Sequence, residues 1–406
     1  MMNLSKQDKS FYFLFVLFAI IELLQRLYLP IPSLTIFLAC GLYYWIYLSI
    51  RHSRNINLSQ EFNATLIIYL FLLWNLIIII RGLIDCYDYW DYKNVLINKG
   101  PFLLFAFSIF ISSRLNLLQK IISFILKYYL ILSLIFIKPI FWANTGRIIS
   151  NLIPLSVLFR KRLRNYLLFF VLLSIPFTWE ARGWIIRAFF GLFLSVLILL
   201  KIKSHIKDYI IHTIMKITYI ICIVIPIVFV YLGYTNKFNV FAMNEYITVE
   251  NKENIVDTRS FLYRLVNQKL IDSQKTWIGL GGISNYWDDF NTDSKITSLK
   301  NKGRTATESG VLNMYLYGGW IGAFLFSSLF WVSAFYGIFR SENIICKTIG
   351  CFIIFRWVIS FVDEPEIWLC SNLMLYLFMG ICLNKRLRMV QNSQWYNWFK
   401  SIGKHD

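Results

Sequence analysis

Seven arginines and one glutamate carry most of the chemistry that this chain of 406 residues could perform. Arg81, Arg147, Arg182, Arg187 and Arg356 stand within or at the edges of long apolar runs, and Arg259 and Arg264 lie in a polar stretch between two such runs. A charge at the margin of a hydrocarbon phase costs several kcal/mol unless it is paired or used. Arginine also presents a fixed fork of donors that matches phosphate oxygens, so a cluster of this kind suits an anionic ligand, a diphosphate above all. For Arg81 and Arg356 a structural role, as a snorkelling or locally paired side chain, stands beside the functional one. At 180-EARG-183 the balance shifts toward function, because Gly183 lets a ligand approach the backbone beside Arg182.

The glutamate is Glu308, in 305-TATESGVLNMYLYGGWIG-322, the last charge before an apolar run that reaches Phe339. Partial burial at that point raises a carboxylate toward the range of a general base. The alternative is a carboxylate placed at a helix start by the macrodipole. Glu22 and Arg26, four residues apart, are expected to pair with each other, and Lys127 and Lys138 to snorkel.

These residues need a frame, and composition indicates which. The chain is 57% hydrophobic and 16% charged, and its repeated apolar runs with short charged punctuation read as an all-α polytopic membrane protein. Twelve spans are expected, at roughly 11–29, 33–50, 65–85, 102–117, 119–141, 148–159, 166–179, 183–201, 209–233, 311–338, 348–363 and 367–384. Thus residues 1–233 form a bundle of nine spans, 234–310 a large outer loop, 311–384 three further spans and 385–406 an amphipathic tail with Trp395, Tyr396, Trp398 and Phe399. The run after the N-terminus contains Glu22 and no small-residue cleavage site, so it reads as a first membrane helix.

Alternate connections are basic, among them 160-RKRLRN-165, 201-KIKSHIK-207 and 385-KRLR-388. The intervening ones are acidic or mixed, among them 85-DCYDYWDYKN-94 and 363-DEPE-366. The positive-inside rule then puts both termini in the cytoplasm and accounts for the net charge of +19 without nucleic acid. His52, His205, His212 and His405 all fall on or near the cytoplasmic side, so proton transfer outside must use a carboxylate, a Tyr or a Lys. The seven cysteines form no CxxC pair, and most lie in apolar runs as small hydrophobes. Neither a disulfide framework nor a zinc site is indicated.

In the outer loop, 258-TRSFLYRLVNQKLIDSQ-274 has helical spacing at Phe261, Leu262, Leu265, Val266 and Leu270, with Thr258 as a cap. The following 277-WIGLGGISNYWDDF-290 has no period and reads as an ordered loop. Its GLGG follows no strand and opens no clear helix, which excludes a nucleotide fingerprint. Asp288 and Asp289 read as solvated acids.

The order of these segments resembles the O-antigen ligase and polymerase superfamily of bacterial membrane glycosyltransferases. The resemblance is carried by EARG between two spans, then 257-DTRSFLYRL-265 opening a long outer loop, then 277-WIGLGG-282, and last 318-GGWIG-322. It implies a GT-C-like fold in the bacterial inner membrane and inverting transfer with no metal or other cofactor. The implied partners are undecaprenyl-diphosphate-linked oligosaccharides, as donor and acceptor, membrane lipid and a possible chain-length regulator. Arg182 matches the arginine of the family's SRG-like motif, with Ala181 in place of serine, and Arg259 matches the arginine of its D-x-R segment. Both are implied to bind the diphosphate, with Arg264, Arg187, Arg147, Arg81 and Arg356 as further substrate contacts. Ligases have a histidine where this chain has Glu308, so the resemblance favours a polymerase joining lipid-linked repeat units at the outer face. A ligase acting on lipid A core and a lipid-linked oligosaccharide transporter are the alternatives.

Overall fold

A computed structural model describes residues 5–25, 32–134, 139–177, 182–203, 206–234, 258–284, 306–307, 309–362 and 369–403. Among these residues the chain is an all-α polytopic membrane protein, its one β-bridge joining Phe62 to Asn384. The helices are α1 (Lys6–Gln25), α2 (Pro32–Arg54), α3 (Thr65–Ile84), α4 (Tyr89–Ser113), α5 (Leu115–Leu134), α6 (Pro139–Leu152), α7 (Lys161–Phe177) and α8 (Arg182–Ile202). There follow α9 (Asp208–Tyr234), α10 (Thr258–Asp272), α11 (Gly310–Phe339), α12 (Ile344–Ile359), α13 (Leu369–Leu383) and α14 (Asn392–Ser401). Among the described residues seven helices are long and apolar enough to cross a membrane, and Thr145–Leu158 and Cys370–Leu383 are shorter apolar helices.

The helix containing the expected span 102–117 begins thirteen residues earlier, at Tyr89, and ends at Ser113. A π-helical turn at Asn94–Lys99 precedes Pro101, which stands in the first turn of the next α-helical segment, where its missing N–H is tolerated. The expected span 148–159 is the end of α6 continued by a 3-10 turn over Ile153–Leu158 that accommodates Pro154. α11, α12 and α13 form the centre, with α3 and α9 along α11 and with α1 and α6 along α13. α14 differs from an interfacial tail. Trp395 and Phe399 are buried, Phe399 lies edge-on to Phe159 at 5.6 Å, and Arg160 donates to the Lys400 carbonyl at 2.8 Å. Its aromatic face is therefore covered by protein rather than by lipid.

α11 is two helices meeting at Gly319, whose φ of 63° and ψ of −160° break the helix. The second half, Trp320–Phe339, is long enough at 1.5 Å per residue to cross a hydrocarbon core of ~30 Å unaided. The break thus falls near one end of the apolar span, and the first half extends the helix beyond it. A break leaves the carbonyls of Leu316 and Tyr317 and the amides of Trp320 and Ile321 without their helical partners, a heavy cost in a medium that cannot hydrate them. The outer loop supplies all four. Leu280 N donates to Leu316 O at 2.8 Å and Gly281 N to Tyr317 O at 2.9 Å. Trp320 N and Ile321 N donate to Thr276 O and Trp277 O at 3.0 and 3.3 Å. Residues 275–282 are therefore laced into the helix as a strap.

The lacing requires glycine on both sides. A Cβ on Gly319 would stand 2.3 Å from Trp277 C, and one on Gly279 would stand 2.4 Å from Tyr317 C. Gly319→Ala should lower stability by roughly 3 kcal/mol or more, since a Gly-only conformation and a backbone collision coincide. Trp74→Phe removes the indole donation to Gly318 O at 3.2 Å together with part of the ring's packing against Gly318 and Gly322, and should cost about 1–3 kcal/mol. Thermal unfolding of the purified variants in detergent checks both, and equal melting temperatures would refute the lacing.

Candidate functional site

Three polar clusters bear on the residues singled out by sequence. The first holds the strap. The Arg81 guanidinium, near the end of α3, donates to the carbonyls of Ile278 and Gly279, at 2.8 Å for the latter. Lys99, buried on α4, donates to Gly282 O at 2.8 Å and Ser284 Oγ at 3.1 Å, and its ammonium lies 4.4 Å from the centre of the Tyr317 ring. Gly282 N closes the lacing on Ile78 O at 3.1 Å. Arg81, expected among the substrate contacts, is thus engaged by strap carbonyls. WIGLGG binds helix backbone through its amides, the use to which a phosphate loop puts the same groups.

The second cluster surrounds position 308. Glu308 itself lies outside the described residues, but its neighbours on both sides are buried and fixed. Asn313 Oδ1 accepts from Thr307 Oγ1 at 2.8 Å and also from Thr307 N, while Asn313 Nδ2 donates to Thr307 O at 3.1 Å. This closes a side-chain ring over residues 307–313. Ser309 caps α11 by accepting from Leu312 N at 3.3 Å, and its hydroxyl donates to Ser360 O at 2.9 Å. Tyr263 of α10 completes the frame, with its hydroxyl 3.1 Å from Ser309 Oγ and donating to Phe361 O at 2.8 Å. Burial pushes the Tyr263 phenol well above its ordinary value, the bond to Ser309 working the other way, so it stays a donor at neutral pH. α10 lies against α11 through buried Leu262, Val266 and Leu270, with a further bond from Tyr315 Oη to Asn267 Oδ1 at 2.9 Å. Arg259 belongs to the first turn of α10, four residues before Tyr263. Its side chain, like that of Arg182 at the start of α8, lies outside the described residues. Arg264 is exposed.

The third cluster is where α6, α12 and α13 converge. Arg356, buried in the last turn of α12, donates to Asn151 Oδ1 and, at 3.5 Å, to Ser371 Oγ. Ser371 donates to Arg147 O at 3.2 Å, and Asn151 Nδ2 donates to Ser371 O at 3.0 Å. Ser371 thus links the Arg356 guanidinium to the backbone carbonyl of Arg147. Arg187 is fully buried on α8, whose Trp184 packs over Gly146 so closely that a Cβ there would lie 2.9 Å from the indole. On the far side of the α13 N-terminus the Glu22 carboxylate accepts from Cys370 N at 3.2 Å. Its expected partner Arg26, together with Lys138, Asp288 and Asp289, lies outside the described residues.

Sequence reasoning missed Lys99, Asn151, Tyr263, Asn313 and Ser371. Asn151 and Asn313 did carry a signal, an amide within an apolar run, which is costly unless it bridges helices. Tyr263→Phe keeps the ring in place and deletes both of its hydroxyl bonds. It should lower stability by about 1–2 kcal/mol and increase hydrogen exchange along α10. Exchange as slow as in the parent protein would show that Tyr263 does not hold α10 to Ser309. In comparisons with known protein families, with curated proteins and with solved structures, the chain shows no match.

Proposed function

We propose that the chain is a polymerase of lipid-linked glycan repeat units, a GT-C-like enzyme of about twelve spans working at the outer face of a bacterial inner membrane. The observation that carries this reading is the frame around position 308. Tyr263 binds Ser309, the residue after Glu308, and stands one helical turn, ~6 Å along the axis, after Arg259. The residues that flank position 308 and the first turn of α10, which carries Arg259, are far apart in sequence and are thereby tied to each other; under this reading the carboxylate and the arginine stand side by side there. Such an arrangement suits transfer from a diphosphate, where the leaving group is already good and the enzyme must supply position, charge and a base.

In this mechanism Glu308 takes the proton of a sugar hydroxyl on one lipid-linked unit. The hydroxyl oxygen attacks the anomeric carbon of a second unit with inversion, and the bond to the diphosphate oxygen breaks. Arg182 and Arg259 stabilise the charge that accumulates on the departing diphosphate. Arg147, Arg187 and Arg356 supply further positive charge within the bundle, and Arg81 acts through the strap. No proton has to pass through histidine.

One observation favours a different class. A broken helix such as α11 is a hallmark of secondary transporters, whose unwound backbone faces a substrate cavity. Here the freed carbonyls and amides at Gly319 are occupied by strap residues 276–281, so the break joins a loop to a helix and offers no backbone groups to a cargo. That favours the transferase.

Glu308→Gln, Arg182→Ala and Arg259→Ala should each abolish polymerisation at normal protein levels. Loss of a general base costs roughly 100- to 10,000-fold in rate. The assay is purified protein with undecaprenyl-diphosphate-linked repeat units as sole substrate. Ladders of products support polymerase, whereas transfer only upon addition of lipid A core identifies a ligase. Parental activity in Glu308→Gln removes the base assignment.

A further inference from the structure

The segment that leaves α3 and opens α4 carries a run of exposed aromatic rings among carboxylates. Tyr87 is 95% exposed, Tyr89 and Trp90 are each 62% exposed and Tyr92 is 45% exposed. They alternate with Asp85, Asp88 and Asp91, in a chain whose net charge is +19. Exposed aromatics such as Phe13, Phe37 and Phe169, by contrast, lie in uncharged stretches of helix. Here a carboxylate falls within every two or three residues, so the rings cannot enter hydrocarbon without taking charges with them.

The segment is also locally fixed. Asp88 Oδ1 accepts from Asp91 N at 2.9 Å and Asp91 Oδ2 from Tyr87 N at 3.3 Å. Tyr89 and Trp90 meet edge to face at 5.5 Å, and the Lys93 ammonium lies 4.8 Å from the Trp90 ring centre. The carboxylates gather on one side, around Cys86, whose thiol is raised by burial and then by Asp91, Asp85 and Asp88. Both flanks grip the strap. Gly82 abuts Gly282, where a Cβ would stand 2.7 Å from its Cα, and Val95 and Lys99 contact Gly282 from the other side.

Exposed ring faces beside carboxylate acceptors are complementary to a neutral sugar. Its C–H faces stack on the rings, whose faces carry the negative end of the quadrupole, and its hydroxyls donate to the carboxylates in charge-assisted bonds. The same carboxylates repel uronic acids, phosphates and anionic lipid headgroups. Tyr89 and Trp90, already held against each other, lose little entropy on binding. We propose that Tyr87, Tyr89, Trp90 and Tyr92, with Asp85, form a docking site for neutral oligosaccharide beside the strap. Its identification with the glycan of a lipid-linked substrate rests on the transferase reading; saccharide binding itself does not.

The test uses the full chain in phosphatidylcholine nanodiscs, with maltohexaose as the neutral probe and hexagalacturonate as the anionic one, followed by saturation-transfer NMR and calorimetry. Maltohexaose should bind, and hexagalacturonate should not. Trp90→Ala and Tyr89→Ala should each weaken binding roughly 10-fold, the upper range for one aromatic contact. Tyr87→Ser alters the most exposed ring and should weaken it without touching the fold. The proposal is overturned if maltohexaose fails to bind, if the variants bind as well as the parent, or if both probes bind alike. It is also overturned if a nitroxide on Tyr87→Cys is relaxed by oxygen at lipid depth rather than by an aqueous nickel chelate, which would make the segment an interfacial anchor. A protein that makes glycan ladders yet ignores maltohexaose sinks the docking site and leaves the transferase standing; one that binds maltohexaose and transfers nothing does the reverse.

Discussion

Four backbone groups at the break in α11 set the terms for the outer half of this molecule. The carbonyls of Leu316 and Tyr317 and the amides of Trp320 and Ile321 cannot pair within their own helix once Gly319 turns it. Near hydrocarbon each unpaired group costs several kcal/mol. A membrane protein can retain such a break only by bringing other polar backbone to it, and here that backbone is residues 276–281. Once this is required, other features follow. Glycine is needed at 279 and 319 because two main chains approach within contact of each other. Arg81 is needed where the strap's own carbonyls point away from the helix, and Lys99 where the strap ends at Gly282.

The consequence for the site is mechanical. α10 is held at two places along one helix. Its C-terminal end runs into the strap, with Lys275 N bonded to Leu270 O at 2.9 Å and Gly279 N to Lys275 O at 2.7 Å. Its N-terminal half is bonded through Tyr263 to Ser309 and to the Phe361 carbonyl at the end of α12. The described part of the outer loop is thus braced against α11 both at the break and at the helix start. A shift of the first turn of α10, where Arg259 stands, would have to disturb buried hydrogen bonds at Ser309. Long loops are commonly the mobile part of a protein; here the stretch 258–284 is bonded to the helices as part of the bundle wall.

Helical periodicity and charge alternation were legible in the sequence because they are written in side chains. The spacing of Leu262, Val266 and Leu270 is the buried face of α10, which ends at Asp272, two residues before the expected limit. The glycines of GGWIG were legible as a place of close approach. Their partner was not, because strap and helix meet through main-chain atoms, which every sequence supplies equally. Arg81 shows the same limit from the side of charge. An arginine at the lip of a span looks the same whether it meets a phosphate or two carbonyls, and only the fold distinguishes them. The amphipathic tail was legible as a helix with one aromatic face; what that face meets was not, since it fits a protein surface as well as a lipid one, and Phe159 and Arg160 provide the former.

The partners chosen at the two inner clusters have an electrostatic meaning. Arg356 is oriented by Asn151 and Ser371, and position 308 is framed by Thr307, Ser309, Asn313 and Tyr263. These are neutral groups. They fix geometry by hydrogen bonding and leave the sign of the local field to be set by other residues. Had a carboxylate performed the work of Asn151, the guanidinium would be held as firmly but its attraction for an anion would be largely spent. Had a lysine performed the work of Asn313, a carboxylate at 308 would be held ionised and made a poorer base. Under the transferase reading these amides and hydroxyls add rigidity at Arg356 and beside position 308 without themselves adding a charge.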